Sequence, residues 1–375
     1  MSADTPAPAA PGKRPRGRRL RRWLRGPLTT NTLTSMVAAV VFIALAAVIA
    51  LAPVPFVSWA PGRTVDLAGN NSAGQPMITV QGLPTTPLNG HLRMTTVSVT
   101  RVDSFVSLPE SVLSYWLPKR DVLPREVVYP RSKSTEQVKS EEVAMMDNSQ
   151  RAAVVAALRA AGQPVLELPM VVSVVVSGPA NGKLMPGDLI TEVDDVAVQT
   201  VDDVRNRIRR HQVGESVVFT VERDGAPVDV TIQTAPGPKE KAVPYVGISL
   251  DLGHKYQAKV SYGIDPNIVG PSAGLVFALA IYDLVTENDL LAGMNVAGTG
   301  SISADGTVSP IGGIQEKVAG AEKAGAKVFL VPAQNCQDVQ GLRTKLDLVK
   351  VSTLREAISS LQKIKQNNSE GVPRC

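Results

Sequence analysis

Ser272 stands in Gly270-Pro271-Ser272-Ala273-Gly274, and 45 residues later Lys317 stands in Ile311-Gly312-Gly313-Ile314-Gln315-Glu316-Lys317. A serine at a Gly-Pro elbow opening an apolar stretch is placed to act as a nucleophile, and glycines on both sides let a substrate backbone approach closely. A helix starting there would offer backbone N–H groups and a positive dipole end to an oxyanion. The base would then be Lys317, because His91, His211 and His254 occupy no catalytic-looking setting. A free lysine, with a pKa near 10.4, is protonated at neutral pH, and each unit by which burial lowers it requires about 1.4 kcal/mol. Ile311, Ile314, Val318, Ala319 and Ala321 supply apolar surroundings for that. The plainer alternatives are a helix N-cap for Ser272 and an exposed lysine paired with Glu316.

Other chemistries find little support. The chain has no H-E-x-x-H, no Cys/His cluster, no dinucleotide fingerprint, no Gly-Asp-Ser-Gly segment and no G-x-x-x-x-G-K-[ST] phosphate loop. No cofactor or metal is expected. The net charge of +5 is uneven: residues 1–30 carry eight basic residues against Asp4 alone, leaving the other 345 at −2. The high isoelectric point therefore describes a tail, and no nucleic-acid partner is expected.

That tail precedes Leu33–Ala52, 20 residues that span about 30 Å of hydrocarbon as a helix. Pro53 and Pro55 end the apolar helix, and Trp23 and Trp59 fall where interfacial aromatics are expected. The basic block predicts a cytoplasmic N-terminus, a single span, and everything after Trp59 outside. A signal peptide cleaved after Ala50-Leu51-Ala52 is the rival, disfavoured by the long apolar stretch and by Pro53 after the scissile bond.

The chain divides by pattern into a basic cytosolic tail (1–30), a transmembrane anchor binding the lipid bilayer (31–57) and a β-rich extracytoplasmic segment (58–133). A helical connector (134–164) follows, with Ser134 and Gln137 as a capping box. Residues 165–236 read as strands around one helix, with turns at Asp194-Asp195 and Asp224-Gly225. Pro236-Gly237-Pro238 and Lys239-Glu240-Lys241 read as a linker, before a domain of mixed strands and helices (242–365) and a fraying tail (366–375). The compartment permits a disulfide, but a Cys336–Cys375 bridge is not expected, because Cys375 ends the tail read as fraying.

Two stretches carry family resemblances. Residues 177–198, SGPANGKLMPGDLITEVDDVAV, resemble bacterial protease-type PDZ domains, whose segment runs GSPA…AGL…GD.I..VNG. The resemblance implies β-augmentation by a C-terminal peptide tail, with the carboxylate loop around Leu168-Pro169-Met170. Residues 270–335 resemble the Lon-type proteolytic domain: GPSAG is intact, and TGSISADGTVSPIGGIQEKVAGAEKAGAKVFLVPAQN follows that family's later segment. Position by position, Ser272 falls on the nucleophile, Lys317 on its base and Thr299 on the threonine that orients the lysine. Ser301 replaces the family's acidic residue after Thr-Gly, and Gln315 stands where a lysine is frequent.

The whole pattern resembles the bacterial membrane-anchored PDZ–Lon-type serine proteases. It implies an α+β multidomain fold: an N-terminal transmembrane helix, a β-rich PDZ domain, and an α/β proteolytic domain of the ribosomal protein S5 domain 2-like kind. The implied function is an ATP-independent serine endopeptidase cleaving extracytoplasmic proteins or peptides, in a form compatible with a homo-oligomer. Two competing readings are a PDZ adaptor with an inactive peptidase-like domain and a membrane-surface scaffold acting through the basic tail.

Overall fold

The computed structural model describes residues 29–117 and 119–375. The basic block and Trp23 lie outside the described residues. Helix α1 (Thr30–Leu51) starts at Thr29, whose hydroxyl accepts from the Thr32 amide, and buries none of its residues. It stops before Pro53, so residues 53–57 of the expected anchor are extended chain instead.

The chain then forms β1 (Phe56–Asp66), β2 (Ile78–Gln81), β3 (His91–Val99), α2 (Leu108–Trp116), β4 (Asp121–Pro124) and the long α3 (Thr135–Ala160). The Ser134/Gln137 capping box is present at the start of α3. Next come β5 (Leu166–Val174), β6 (Leu189–Val193), α4 (Val201–Ile208), β7 (Ser216–Arg223), β8 (Ala226–Gln233) and β9 (Ile248–Lys255). The last part holds β10 (Lys259–Tyr262), α5 (Gly274–Val285), β11 (Asn295–Gly298), α6 (Ile314–Lys323), β12 (Val328–Pro332), β13 (Asp347–Val351) and α7 (Leu354–Lys365).

Sheet topology redraws the expected domains. One six-stranded sheet runs β13-β12-β11-β3-β1-β4. The 58–133 segment is thus half of the sheet beneath the candidate site: β3 lies parallel to β11, with His91 opposite Asn295. Helix α3 is no connector, because its Ala153, Val154, Ala157 and Leu158 share one core with Leu275, Val276 and Leu279 of α5. Strand alternation serves both faces. Val296 and Leu330 point into that core, while Ala297, Phe329 and Val331 pack under α6 on the other side.

The other large sheet runs β8-β7-β6-β5-β9 around a separate core centred on Phe219, Ile190 and Ile232. Strand β9, assigned from sequence to the downstream domain, is its edge strand, paired with β5 from Ile248↔Val174 to Lys255↔Leu166. The Pro236–Lys241 run is a turn and not a linker, because Ala235–Pro236 pairs back onto Pro244–Tyr245. The second module is therefore inserted into the first, and the Leu166–Lys255 pairing sets its entry beside its exit. Replacing 167–254 by an Asn-Gly turn is expected to leave the core folded, since cutting so long a loop to a two-residue turn lowers its closure cost, by about 3 kcal/mol. A melting midpoint close to that of the intact chain would bear this out; loss of the cooperative transition would refute it.

The C-terminal segment does not fray. Val372 is buried, Arg374 bridges Asp347 and Cys375 is disulfide-bonded to Cys336.

Candidate active site

Ser272 lies in a one-turn 3₁₀ helix, Pro271–Ala273, that leads into α5. No serine side chain caps α5, whose N-cap is Ala273, so the capping alternative for Ser272 does not hold. The turn is held from several sides. Ser149 of α3 donates its hydroxyl to the Pro271 carbonyl (2.9 Å), and the Gly300 amide donates to the Ser272 carbonyl (2.9 Å). Gly274 must be glycine, because a Cβ there would stand 2.8 Å from both Ser149 Oγ and Ile302 Cγ2.

Lys317 enters from α6. Its side chain is 3% exposed, and its Nζ donates to Thr299 Oγ1 at 3.0 Å. The fully buried Thr299 hydroxyl in turn donates to the Ser272 carbonyl at 2.9 Å. One hydroxyl thus fixes the lysine relative to the backbone of the serine. Among the described residues, the Ser272 hydroxyl has no hydrogen-bond partner. It is half-buried in the wall of a cleft of about 1300 Å³ that Lys317 also lines. The structure therefore brings Ser272, Thr299 and Lys317 together, while none of the three histidines lines that cleft.

Burial lowers the Lys317 pKa from 10.5 to about 7, partly opposed by the neighbouring Glu316 charge. Glu316 is itself 1% exposed, and its Oε2 has no partner among the described residues. Burial pushes its carboxyl up, Asp121 adds to that, and its backbone hydrogen bond and Lys317 work against it. Sequence reasoning saw Glu316 only as a surface partner for the lysine. The Glu316→Gln variant removes a charge that raises the Lys317 pKa, so the acid limb of the pH–rate profile is expected to move to lower pH. An unmoved or upward-shifted limb in kcat/KM measured from pH 5 to 9 would refute this.

The two glycines before α6 have a steric cause. Gly313 has φ +69°, and a Cβ there would stand 2.6 Å from Val97; one at Gly312 would stand 2.8 Å from the Trp59 ring. Trp59 packs on this turn, and its buried Nε1 has no partner among the described residues. Its half-buried ring packs on that turn and lines the cleft, which corrects its expected place at the membrane interface.

The expected carboxylate loop at Leu168-Pro169-Met170 is also corrected. These residues lie inside β5, paired with Gly253, Leu252 and Asp251. The loop that fits that role is Tyr245-Val246-Gly247, just before edge strand β9. Gly247 has φ +83°, and the amides of Val246 and Gly247 make no hydrogen bond among the described residues. Helix α4 packs beside β5 and β9, completing a strand–helix groove. The signal was readable in Tyr245-Val246-Gly247-Ile248, but the linker reading assigned that stretch to the next domain.

Residues 259–363 match the model of the Lon protease (S16) C-terminal proteolytic domain, and residues 145–234 match that of the PDZ domain. The chain carries both domains in an α/β framework. Lon protease 1 of Sorangium cellulosum is 39% identical over 113 residues, covering 28% of this chain and 14% of that protein. The Lon protease of Haemophilus influenzae is 37% identical over 107 residues, covering 28% of this chain and 13% of that protein. The chain thus matches about one-seventh of the length of these relatives. Among solved structures, the PDZ domain of an SdrC-like protein from Listeria monocytogenes is 30% identical, covering 22% of this chain and 85% of that one, with a TM-score of 0.20.

Proposed function

We propose that this chain is a membrane-anchored serine endopeptidase that works without ATP through a Ser272–Lys317 dyad, with its PDZ domain selecting protein or peptide substrates by their C-terminal tails. The observation that carries this reading is the chain of contacts from the buried Lys317 through Thr299 to Ser272. A neutral Nζ that donates one N–H to Thr299 keeps its lone pair for the serine proton. Ser272 Oγ attacks the peptide carbonyl as that proton passes to Lys317, and the ammonium returns it to the leaving amine. Water, deprotonated by the same lysine, then clears the acyl-enzyme. Backbone amides at the start of α5 are the natural donors to the oxyanion.

Helix α1 is long and apolar enough to span a bilayer, at 22 residues and about 33 Å. The Cys336–Cys375 bridge suits an oxidising compartment, which agrees with catalytic domains outside the cytoplasm. This sequence holds no phosphate loop, and on this reading its substrates arrive unfolded, short or membrane-tethered.

The test is nucleotide-free cleavage of an unfolded protein by the intact chain in mild detergent, repeated with Mg-ATP. Cleavage at equal rates in both, lost in Ser272→Ala, supports the proposal. Cleavage only with nucleotide would end the ATP-independent reading, and cleavage that survives in Ser272→Ala would end the dyad.

A further inference from the structure

Helix α2 is amphipathic in the wrong sense for water. It buries its serines, with Ser114 1% and Ser111 7% exposed, and it exposes Leu113 (58%), Tyr115 (76%) and Trp116 (80%). The buried serines are satisfied: Ser114 Oγ meets Ser58 Oγ at 3.1 Å, and Ser111 Oγ donates to the Leu108 carbonyl at 2.9 Å. The protein side of this helix is thus polar and settled, and its apolar side has no cover among the described residues. Phe105, 65% exposed with the Arg125 guanidinium over its ring (4.7 Å), lies just before the helix. A contiguous apolar face of this kind on a folded domain marks an interaction site.

Its place in the chain identifies what covers it. The Leu108 amide, at the start of α2, donates to the carbonyl of Ala52, the C-cap of α1 (3.3 Å). Pro53–Val54 pairs antiparallel with Val106–Ser107, so the end of α1 and the start of α2 are locked together at this junction. The exposed face therefore continues directly from the end of a helix that is apolar on every side. Tyr and Trp, which dominate the face, are the residues that favour the headgroup boundary, with an apolar body and a polar tip.

We propose that α2, with Phe105, is an interfacial foot that lies in the headgroup–acyl boundary of the bilayer crossed by α1. The foot rests on the reading of α1 as a membrane span. It fixes the tilt of the proteolytic domain, because α2 also packs on β1 and β4 of the sheet that carries the cleft. A single span alone would leave the domain free to swivel on its tether; a second contact a few residues away removes that freedom.

The experiment uses the full chain carrying Trp23→Phe, in phosphatidylcholine/phosphatidylglycerol nanodiscs with acyl chains brominated near the headgroup. Only Trp59 and Trp116 then emit, and Trp59 packs against the Gly312-Gly313 turn. Bromolipid is expected to quench about half of the emission, the share of one tryptophan in lipid contact, and Trp116→Phe is expected to remove the quenchable part. Alkaline carbonate extraction reads the span separately. A chain that resists extraction but whose Trp116 is unquenched overturns the foot and leaves the span standing. A chain that is extracted yet quenched on vesicles loses the span, and with it the foot beside a span proposed here, leaving α2 as a surface contact alone; extraction without quenching loses both. If Trp116 is unquenched and Leu113→Ser/Tyr115→Ser/Trp116→Ser turns an oligomer into a monomer by native mass, the face binds a second copy and the foot is wrong.

Discussion

Lys317→Met is expected to lower kcat/KM for an unfolded protein substrate by at least about 10⁴-fold while leaving the fold intact, and Ser272→Ala to do the same. Methionine fills nearly the same space in the apolar pocket but offers no lone pair to a hydroxyl proton. Without a base the serine stays a neutral alcohol, and what remains is the contribution of the amides and of substrate positioning. Because nucleophile and base act as one unit, the double variant is expected to be no slower than either single one. Thr299 separates positioning from chemistry. Thr299→Ser keeps the hydroxyl that joins Lys317 Nζ to the Ser272 carbonyl and is expected to retain most activity, whereas Thr299→Val breaks both contacts and is expected to lose about 10²-fold. Residual activity within tenfold of wild type in Lys317→Met, by initial-rate gel or fluorescence assay, would remove the lysine from the mechanism.

The site was more legible than the frame that holds it. Ser272 and Lys317 sit in short motifs whose residues have local duties, such as glycines at tight approaches and a proline opening a turn, and local duties leave marks in sequence. Trp59, Asp121 and Ser149 also shape the site, yet nothing near them in the chain says so. Their partners lie across the sheet or on another helix: Ser149 reaches Pro271, 122 residues away, and β3 finds β11 some 200 residues on. Strand periodicity tells which face of a strand is buried and not which strand lies beside it. That is why 58–133 reads as a separate unit, and why β9, an ordinary strand by composition, falls on the wrong side of the boundary. The apolar face of α2 carries the opposite lesson. Its pattern is visible in Leu108–Trp116, but only the burial of its serines reveals that the face turns outward.

Burial of Lys317 predicts a stability profile as distinctive as its effect on rate. In the unfolded chain this lysine keeps its proton up to about pH 10.5, and in the folded chain it loses it at about 7. Between those values the unfolded state holds one more proton, so stability rises with pH through that window. Below pH 7 both states are protonated, and the cost of burying the ammonium is present in full, on the order of 5 kcal/mol. Glu316, pushed up by burial, acts below that window: the folded state binds the extra proton from about 4.5 upward, so its contribution falls as pH rises there. The Lys317→Met variant loses the lysine's slope, and its Glu316, no longer held down by the ammonium, titrates higher still; the substitution also costs about 1 kcal/mol for the hydrogen bond to Thr299. It is therefore expected to be more stable than the natural chain by several kcal/mol at pH 6, with the gap closing by pH 10. Urea unfolding at pH 6, 8 and 9.5 reads this directly, on a fragment that starts at Pro53 and so keeps strand β1 whole. The same proton sets the rate: kcat/KM is expected to climb with unit slope to about pH 7 and then level off. A constant stability gap between the two chains, together with a rate still climbing at pH 9, would mean that Lys317 titrates as an ordinary lysine and that the neutral base is lost.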